Sequence, residues 1–136
     1  MKRFILALFF TLIIVSPVNA QSTLALQEKC AEGAKKIFRE EYGDGISKSE
    51  LMYGGFTTHY NKKFDKCFIL LKLFYLSKDK DHTGFYTISL IDVFEGKDYG
   101  SFSSGLGSGL PGGKVGDKFC RSEAEFEALI KPYMEE

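Results

Sequence analysis

The sequence is poor in the residues that build catalytic and metal centres. It has two histidines, His59 and His82, and three cysteines, whereas a metal site usually needs three or four ligands. It has no tryptophan, and its 18 basic and 18 acidic side chains balance. No long run of one charge sign occurs, so neither a nucleic-acid partner nor an anionic membrane surface is indicated.

No apolar run at the start of the chain is long enough to cross a bilayer. Residues 4–15 are apolar except for Thr11, against the roughly 20 residues that a spanning helix needs. This run follows Met1-Lys2-Arg3 and ends in small residues before Gln21. We interpret residues 1–20 as a secretory signal peptide cleaved after Ala20, with an uncleaved anchor as the alternative.

Cleavage there leaves residues 21–136 as a single domain with a net charge of −2 and no stable membrane anchor. We therefore predict a periplasmic or secreted protein. Such a compartment permits disulfides.

The sequence contains no intact nucleotide-binding or catalytic nucleophile motif. Residues 107–112 match G-x-G-x-x-G, but Pro111 lies inside the match and no helix pattern follows it. No G-x-S-x-G elbow is present, and the charged turn with Asp79, Asp81 and His82 is too short for an EF-hand. We predict no metal site and no cofactor.

The chain is organised around a long apolar strand at residues 64–76. One of its faces carries Cys67, Ile69, Leu71, Leu73 and Tyr75, and the other carries Phe68, Leu70, Phe74 and Leu76. A strand that is apolar on both faces is usually interior to its sheet. Asn61-Lys62 predicts a hairpin with a first strand at 51–60.

The predicted sheet has two further strands, which are followed by a loop. A third strand is predicted at 85–94 and a short edge strand at 97–103, with a further short strand at 115–119 as an option. Residues 100–116 hold seven glycines, which predicts a mobile Gly-rich loop.

Amphipathic helices are predicted at both ends of the domain. The first runs from Ser22 or Thr23 to Tyr42 and ends at Gly43. The second begins at a capping box at residues 122–125. We therefore expect an α+β fold of two layers: an N-terminal helix, a three- to four-stranded antiparallel sheet, and a C-terminal helix on the same sheet face as the first.

Three cysteines allow one bridge and one leftover thiol. Cys30 lies on the apolar stripe of the first helix and Cys67 on an apolar face of the central strand, so we predict the Cys30–Cys67 disulfide. Cys67–Cys120 is the alternative. Cys120, near the start of the last helix, is otherwise the free thiol, and a helix N-terminus would make it reactive.

Two motifs carry a resemblance to a family. His59-Tyr60-Asn61-Lys62-Lys63, followed by Lys66-Cys67 and an apolar strand, resembles a group of small exported bacterial proteins of unknown function. Phe126 and the ending at residues 131–136 are similar to the end of the same group. The resemblance implies a one-domain exported protein and brings no activity with it.

Two functional hypotheses follow. The first is a binding or interaction module of the cell envelope, whose aromatic sheet face contacts an unknown protein or a small apolar ligand through His59, Tyr60 and Tyr53. The second is a small extracytoplasmic enzyme that uses His59 with Tyr53, Tyr60 or Asp92. Convergence of these groups in one pocket would favour the enzyme. We favour the binding module because titratable groups cluster little.

Overall fold

The computed structural model describes residues 18–43, 52–76, 84–105 and 110–135. In chain order the elements are α1 (Val18–Tyr42), β1 (Met52–Asn61), β2 (Lys66–Leu76), β3 (Gly84–Asp92), β4 (Lys97–Gly105), β5 (Gly112–Val115), β6 (Lys118–Cys120) and α2 (Glu123–Met134). Most of the predicted signal peptide, the charged turn with His82 and the centre of the Gly-rich segment lie outside the described residues. Within the described ranges, no helix is long and apolar enough to cross a membrane.

The strands form one six-stranded antiparallel sheet in which each strand lies beside the one before it in sequence. The prediction of three to four strands is therefore wrong. β4 continues into the Gly-rich segment as far as Gly105, β5 lies within that segment at Gly112–Val115, and β6 follows it at Lys118–Cys120.

Glycines in this segment allow two strands to approach closely. A Cβ on Gly100 would lie 2.8 Å from the backbone oxygen of Lys114, and one on Gly113 would lie 2.7 Å from the Cα of Phe102. Neither distance is tolerable for a real Cβ. These glycines therefore fit a packed strand pair, and the interpretation of residues 100–105 and 112–115 as a loop is wrong.

The two helices lie on opposite faces of the sheet, so the two-layer prediction is also wrong. On one face, Cys30 and Ala34 of α1 pack with Cys67 and Ile69 of β2. The other face packs against α2 in a second buried cluster: Phe68, Ile88, Leu90, Phe102, Val115, Cys120, Phe126 and Ile130. Because β2 is apolar on both faces, it is covered on both, and the domain has three layers.

The central hairpin has the predicted faces. β1 and β2 pair from Met52 opposite Tyr75 to Asn61 opposite Lys66. Cys67 therefore points toward α1, and the predicted Cys30–Cys67 disulfide is present, with the two Cα atoms 5.4 Å apart. Cys120 is free and buried.

The predicted end of α1 and the predicted start of α2 are confirmed, whereas the predicted start of α1 at Ser22 or Thr23 is wrong, since α1 begins at Val18. Gly43 follows α1 with a φ of 60°, and its N–H donates to the Arg39 carbonyl at 3.0 Å. At the start of α2, the Ser122 hydroxyl accepts a hydrogen bond from the Glu125 N–H at 3.2 Å. These caps satisfy backbone groups that have no partner inside the helices.

Candidate functional site

A wide groove lies on the α1 side of the sheet, beyond the last turn of α1. We call it the sheet groove. It has a volume of about 640 Å³ and crosses strands β2 to β6. Its lining includes Tyr42, Leu71, Leu73, Tyr75, Thr87, Ser89, Ile91, Asp98, Ser101, Ser103, Lys114 and Phe119. Pockets for small ligands typically have volumes of about 300–1,000 Å³.

Four hydroxyl side chains form the floor of the sheet groove. Thr87 of β3 lies directly opposite Ser103 of β4, and Ser89 lies opposite Ser101. Residues two apart in a strand share a face, so the four hydroxyls make a square. Each can both donate and accept.

Aromatic side chains stand at the two ends of this floor. Tyr42 and Tyr75 lie at one end, and Phe119 of β6, which is 84% exposed, lies at the other. Burial raises the pKa of Tyr42, and the nearby charge of Glu41 adds to this. The Tyr42 phenol therefore stays protonated and able to donate a hydrogen bond at neutral pH.

The sheet groove carries one side chain of each charge. Asp98 is the acidic residue of its lining and Lys114 is the basic residue. Both are exposed. The site therefore offers hydroxyls and aromatic rings without a net charge.

His59 lies elsewhere, in a second cavity of about 630 Å³ between β1 and α2. This cavity is on the opposite side of the sheet from the sheet groove. Glu127 and Lys131 of α2 also line it, as does Glu135, which follows the helix. The His59 Nε2 atom is buried and has no hydrogen-bond partner among the described residues.

Tyr60 is part of the protein core. It is 7% exposed and packs in the cluster around the Cys30–Cys67 disulfide. Its hydroxyl donates to the carboxylate of Asp65, and its backbone N–H donates to the Gln27 side chain at 2.8 Å. The observed role of Tyr60 is to hold the hairpin and α1 together.

Tyr53 lies far from His59. It is 72% exposed and lines a third cavity, of about 240 Å³. Tyr53 and His59 share a strand face but are six residues apart, which is about 20 Å in an extended chain. His59 and Tyr60 are neighbours in sequence and therefore point to opposite faces.

Asp92 is fully engaged in holding a turn. Its carboxylate accepts from the Lys66 ammonium at 2.7 Å and from the N–H groups of Phe94 and Glu95 at 3.0 and 3.3 Å. The structure thus does not bring the histidine, phenols and carboxylate of the enzyme hypothesis together. Within the described ranges, no group of three metal-ligating side chains occurs.

The hydroxyl floor is not among the features predicted from the sequence. The signal was an alternation of small hydroxyls with apolar residues, in Thr87-Ile88-Ser89 and in Ser101-Phe102-Ser103. Such alternation places all the hydroxyls of a strand on one face. Both strands are predicted from the sequence, at 85–94 and 97–103, but the sequence does not predict the register that places Thr87 opposite Ser103 and Ser89 opposite Ser101.

We found no family model, no curated protein and no solved structure that matches this chain. The candidate site therefore rests on its own geometry, and the resemblance to small exported proteins stays a prediction.

Proposed function

We propose that this protein is a binding module of the bacterial cell envelope that holds a neutral, hydroxyl-rich ligand, of the oligosaccharide class, in the sheet groove. The observation that carries the proposal is the square of hydroxyls from β3 and β4 with aromatic rings at both of its ends.

The chemistry of the lining supports this ligand class. A hydroxyl can act as donor or acceptor, so four of them suit a ligand that carries several hydroxyls of its own. Tyr42, Tyr75 and Phe119 offer flat apolar surfaces to the C–H faces of a sugar ring. The balance of Asp98 and Lys114 favours a neutral ligand, and the polar floor favours it over the small apolar ligand expected from the sequence.

The compartment is part of the same proposal. The Cys30–Cys67 disulfide suits an oxidising environment, and the predicted signal peptide would deliver the chain there. We place the protein in the periplasm or outside the cell.

The binding test is a titration followed by amide chemical shifts. Maltotriose and tri-N-acetylchitotriose serve as neutral probes, and a heparin hexasaccharide serves as the charged comparison. We expect at least one neutral probe to shift the amides of Thr87, Ser89, Ser101 and Ser103. Absence of binding by both neutral probes, or shifts confined to the cavity around His59, would contradict the proposal.

Two groove variants and one matched control sharpen the test. Ser101→Val removes a floor hydroxyl, and Phe119→Ala removes an exposed ring. Each should weaken binding about tenfold, since an unmatched polar group or a lost ring contact costs about 1–2 kcal/mol. Phe94→Ala is the control, because Phe94 is also exposed and does not line the groove. Equal losses in all three variants would argue against the groove.

A further inference from the structure

Strand β1 is an edge strand that lacks two of the usual protections against pairing, a charged side chain and a proline. It lies at one edge of the sheet, and no described strand pairs with its outer side. Its ten residues include no charged residue and no proline. The opposite edge, β6, has three residues, including Lys118. Long uncharged edges are rare in monomers because they pair with other chains.

The side chain of Gln27 occupies only one half of this edge. Its Nε2 donates to the Thr58 carbonyl at 3.4 Å and its Oε1 accepts from the Tyr60 N–H at 2.8 Å. The amide thus imitates a neighbouring strand there. Outward-pointing residues alternate along an antiparallel strand, so Gly54 and Phe56 also direct their backbone groups outward. No hydrogen bond to this outer side is described at residues 52–57.

Gly55 is a glycine that the fold of a single chain does not need. A Cβ there would meet no atom within 4 Å, whereas one on Gly54 would lie 2.6 Å from Leu73 Cδ2. Its φ is not in the positive region. A glycine inside a strand often marks the close approach of another group. Gly55 also lines the third cavity, with Tyr53 and Phe74.

We propose that β1 pairs with β1 of a second copy of this chain, antiparallel about a two-fold axis at Gly54. Gly54 then lies opposite Gly54 of the second copy, and Tyr53 lies opposite Gly55. The latter positions are non-hydrogen-bonded, where side chains approach most closely. The exposed Tyr53 ring of each copy covers the glycine of the other, a pairing known to stabilise strand glycines.

The structure distinguishes this register from its neighbours. A shift toward Thr58 meets the Gln27 side chain, which already holds that half of the edge. A two-fold axis at Gly55 would instead place Gly55 opposite itself and Tyr53 opposite Thr57. The cavity beside Gly55 would then receive no side chain from directly across the strand pair. Of these registers, only the one with its axis at Gly54 places the Tyr53 ring of one copy against the cavity beside Gly55 of the other.

Analytical ultracentrifugation of the purified protein tests the pairing. We expect a dimer for the wild type. Gly55→Lys should raise the dimer dissociation constant at least about tenfold, because it fills the position that receives Tyr53 and places a charge on the edge. Open space around Gly55 should leave the folded monomer intact by circular dichroism. Phe119→Lys, at an exposed position on the other edge strand, is the control and should stay dimeric.

Three outcomes would overturn the proposal: a wild type that is monomeric at every concentration, a Gly55→Lys variant that dimerises normally, and a Phe119→Lys variant that loses the dimer equally. Cross-linking then tests the register. The double variant Tyr53→Cys with Gly55→Cys should form a disulfide between copies, located by peptide mapping. Gly55→Cys alone should not form one, and efficient cross-linking by it alone would show the axis to be at Gly55.

Discussion

Asp92 is a buried carboxylate whose hydrogen bonds are all made inside the protein. It is 1% exposed. Burial by itself raises its pKa, but the hydrogen bond from Lys66 and those from the Phe94 and Glu95 amides outweigh burial and leave the pKa below its ordinary value. The ionised form is therefore stabilised in the folded protein.

The lowered pKa predicts an acid-dependent loss of stability. The contribution of Asp92 is present above its unfolded pKa of about 3.9 and is lost as pH falls through the folded value. Asp92→Asn should lower the free energy of unfolding by about 1–3 kcal/mol at pH 7, with the difference shrinking below pH 4. Urea unfolding of both proteins at pH 3 to 7 measures this. Asp117→Asn, in an exposed turn, is the control, and a pH-independent difference at Asp92 would contradict the assignment.

The burial of Cys120 opposes the reactivity that its place near a helix start predicts. It is 3% exposed, and burial, with a smaller effect of Glu125, raises the pKa of its thiol. We expect iodoacetamide to label it at least about 100-fold more slowly in the native protein than in urea, because the thiolate is the reactive form. Mass spectrometry of timed samples measures both rates. Fast native labelling would show that the α2 end opens readily.

Neighbouring glycines of β5 differ in what they contribute to the sheet. Gly113→Ala should lower the free energy of unfolding by roughly 1–3 kcal/mol, because its Cβ would collide with the β4 backbone and the strands must move apart. Gly112→Ala is the matched control, since its Cβ would lie no closer than 3.9 Å to the Cys120 oxygen. Thermal unfolding of both variants measures the difference. Equal stability would mean that β4 and β5 separate at little cost.

The Cys30–Cys67 disulfide joins α1 to the centre of the sheet across 37 positions. In the chain-entropy model a loop of this length stabilises the fold by about 3–4 kcal/mol. Replacing both cysteines by alanine should cost that amount and increase hydrogen exchange in α1 first, because its buried contacts cluster around the bridge. Cys120→Ala, which breaks no bridge, is the control. An equal increase in hydrogen exchange throughout the sheet and α1 would contradict the expectation that α1 is affected first.

Much of the architecture of the whole molecule follows from local patterns. The two apolar faces of β2, the end of α1 at Gly43 and the cap at Ser122 are all readable from short stretches, because each depends on residues close together in sequence. The disulfide follows from two such stripes. These features fix which side chains are buried.

The size of the sheet and the side of each helix could not be derived in this way. Gly100 and Gly113 have the composition of a flexible loop, and their role depends on the backbone of a strand that lies beside them only after folding. Whether α2 covers the same face as α1 depends on the path of the chain through β3 to β6. The hydroxyl square requires pairing of Thr87 with Ser103. The candidate site therefore could not be predicted from the sequence either.

Asn61 connects the β1–β2 hairpin to the C-terminal helix. It is 1% exposed, and its Nδ2 donates to the carbonyls of Pro132 and Tyr133, both at 3.0 Å. These carbonyls are in the last turn of α2, where no helical N–H follows to bond them. Its Oδ1 accepts from the Phe64 N–H at 3.2 Å. One amide therefore closes the hairpin turn and anchors the C-terminal helix.

Asn61→Ala should destabilise both the hairpin turn and the last turn of α2. We expect a loss of about 1–3 kcal/mol in the free energy of unfolding, since two buried carbonyls lose their donor, and faster hydrogen exchange in the last turn of α2. Asn61→Asp separates the two roles, because a carboxylate still accepts from Phe64 but donates nothing to Pro132 and Tyr133. It should preserve the hairpin turn and loosen α2 at least as much as alanine at neutral pH, where its charge faces two carbonyl oxygens. Unchanged exchange in α2 of both variants would show that packing alone holds the helix end.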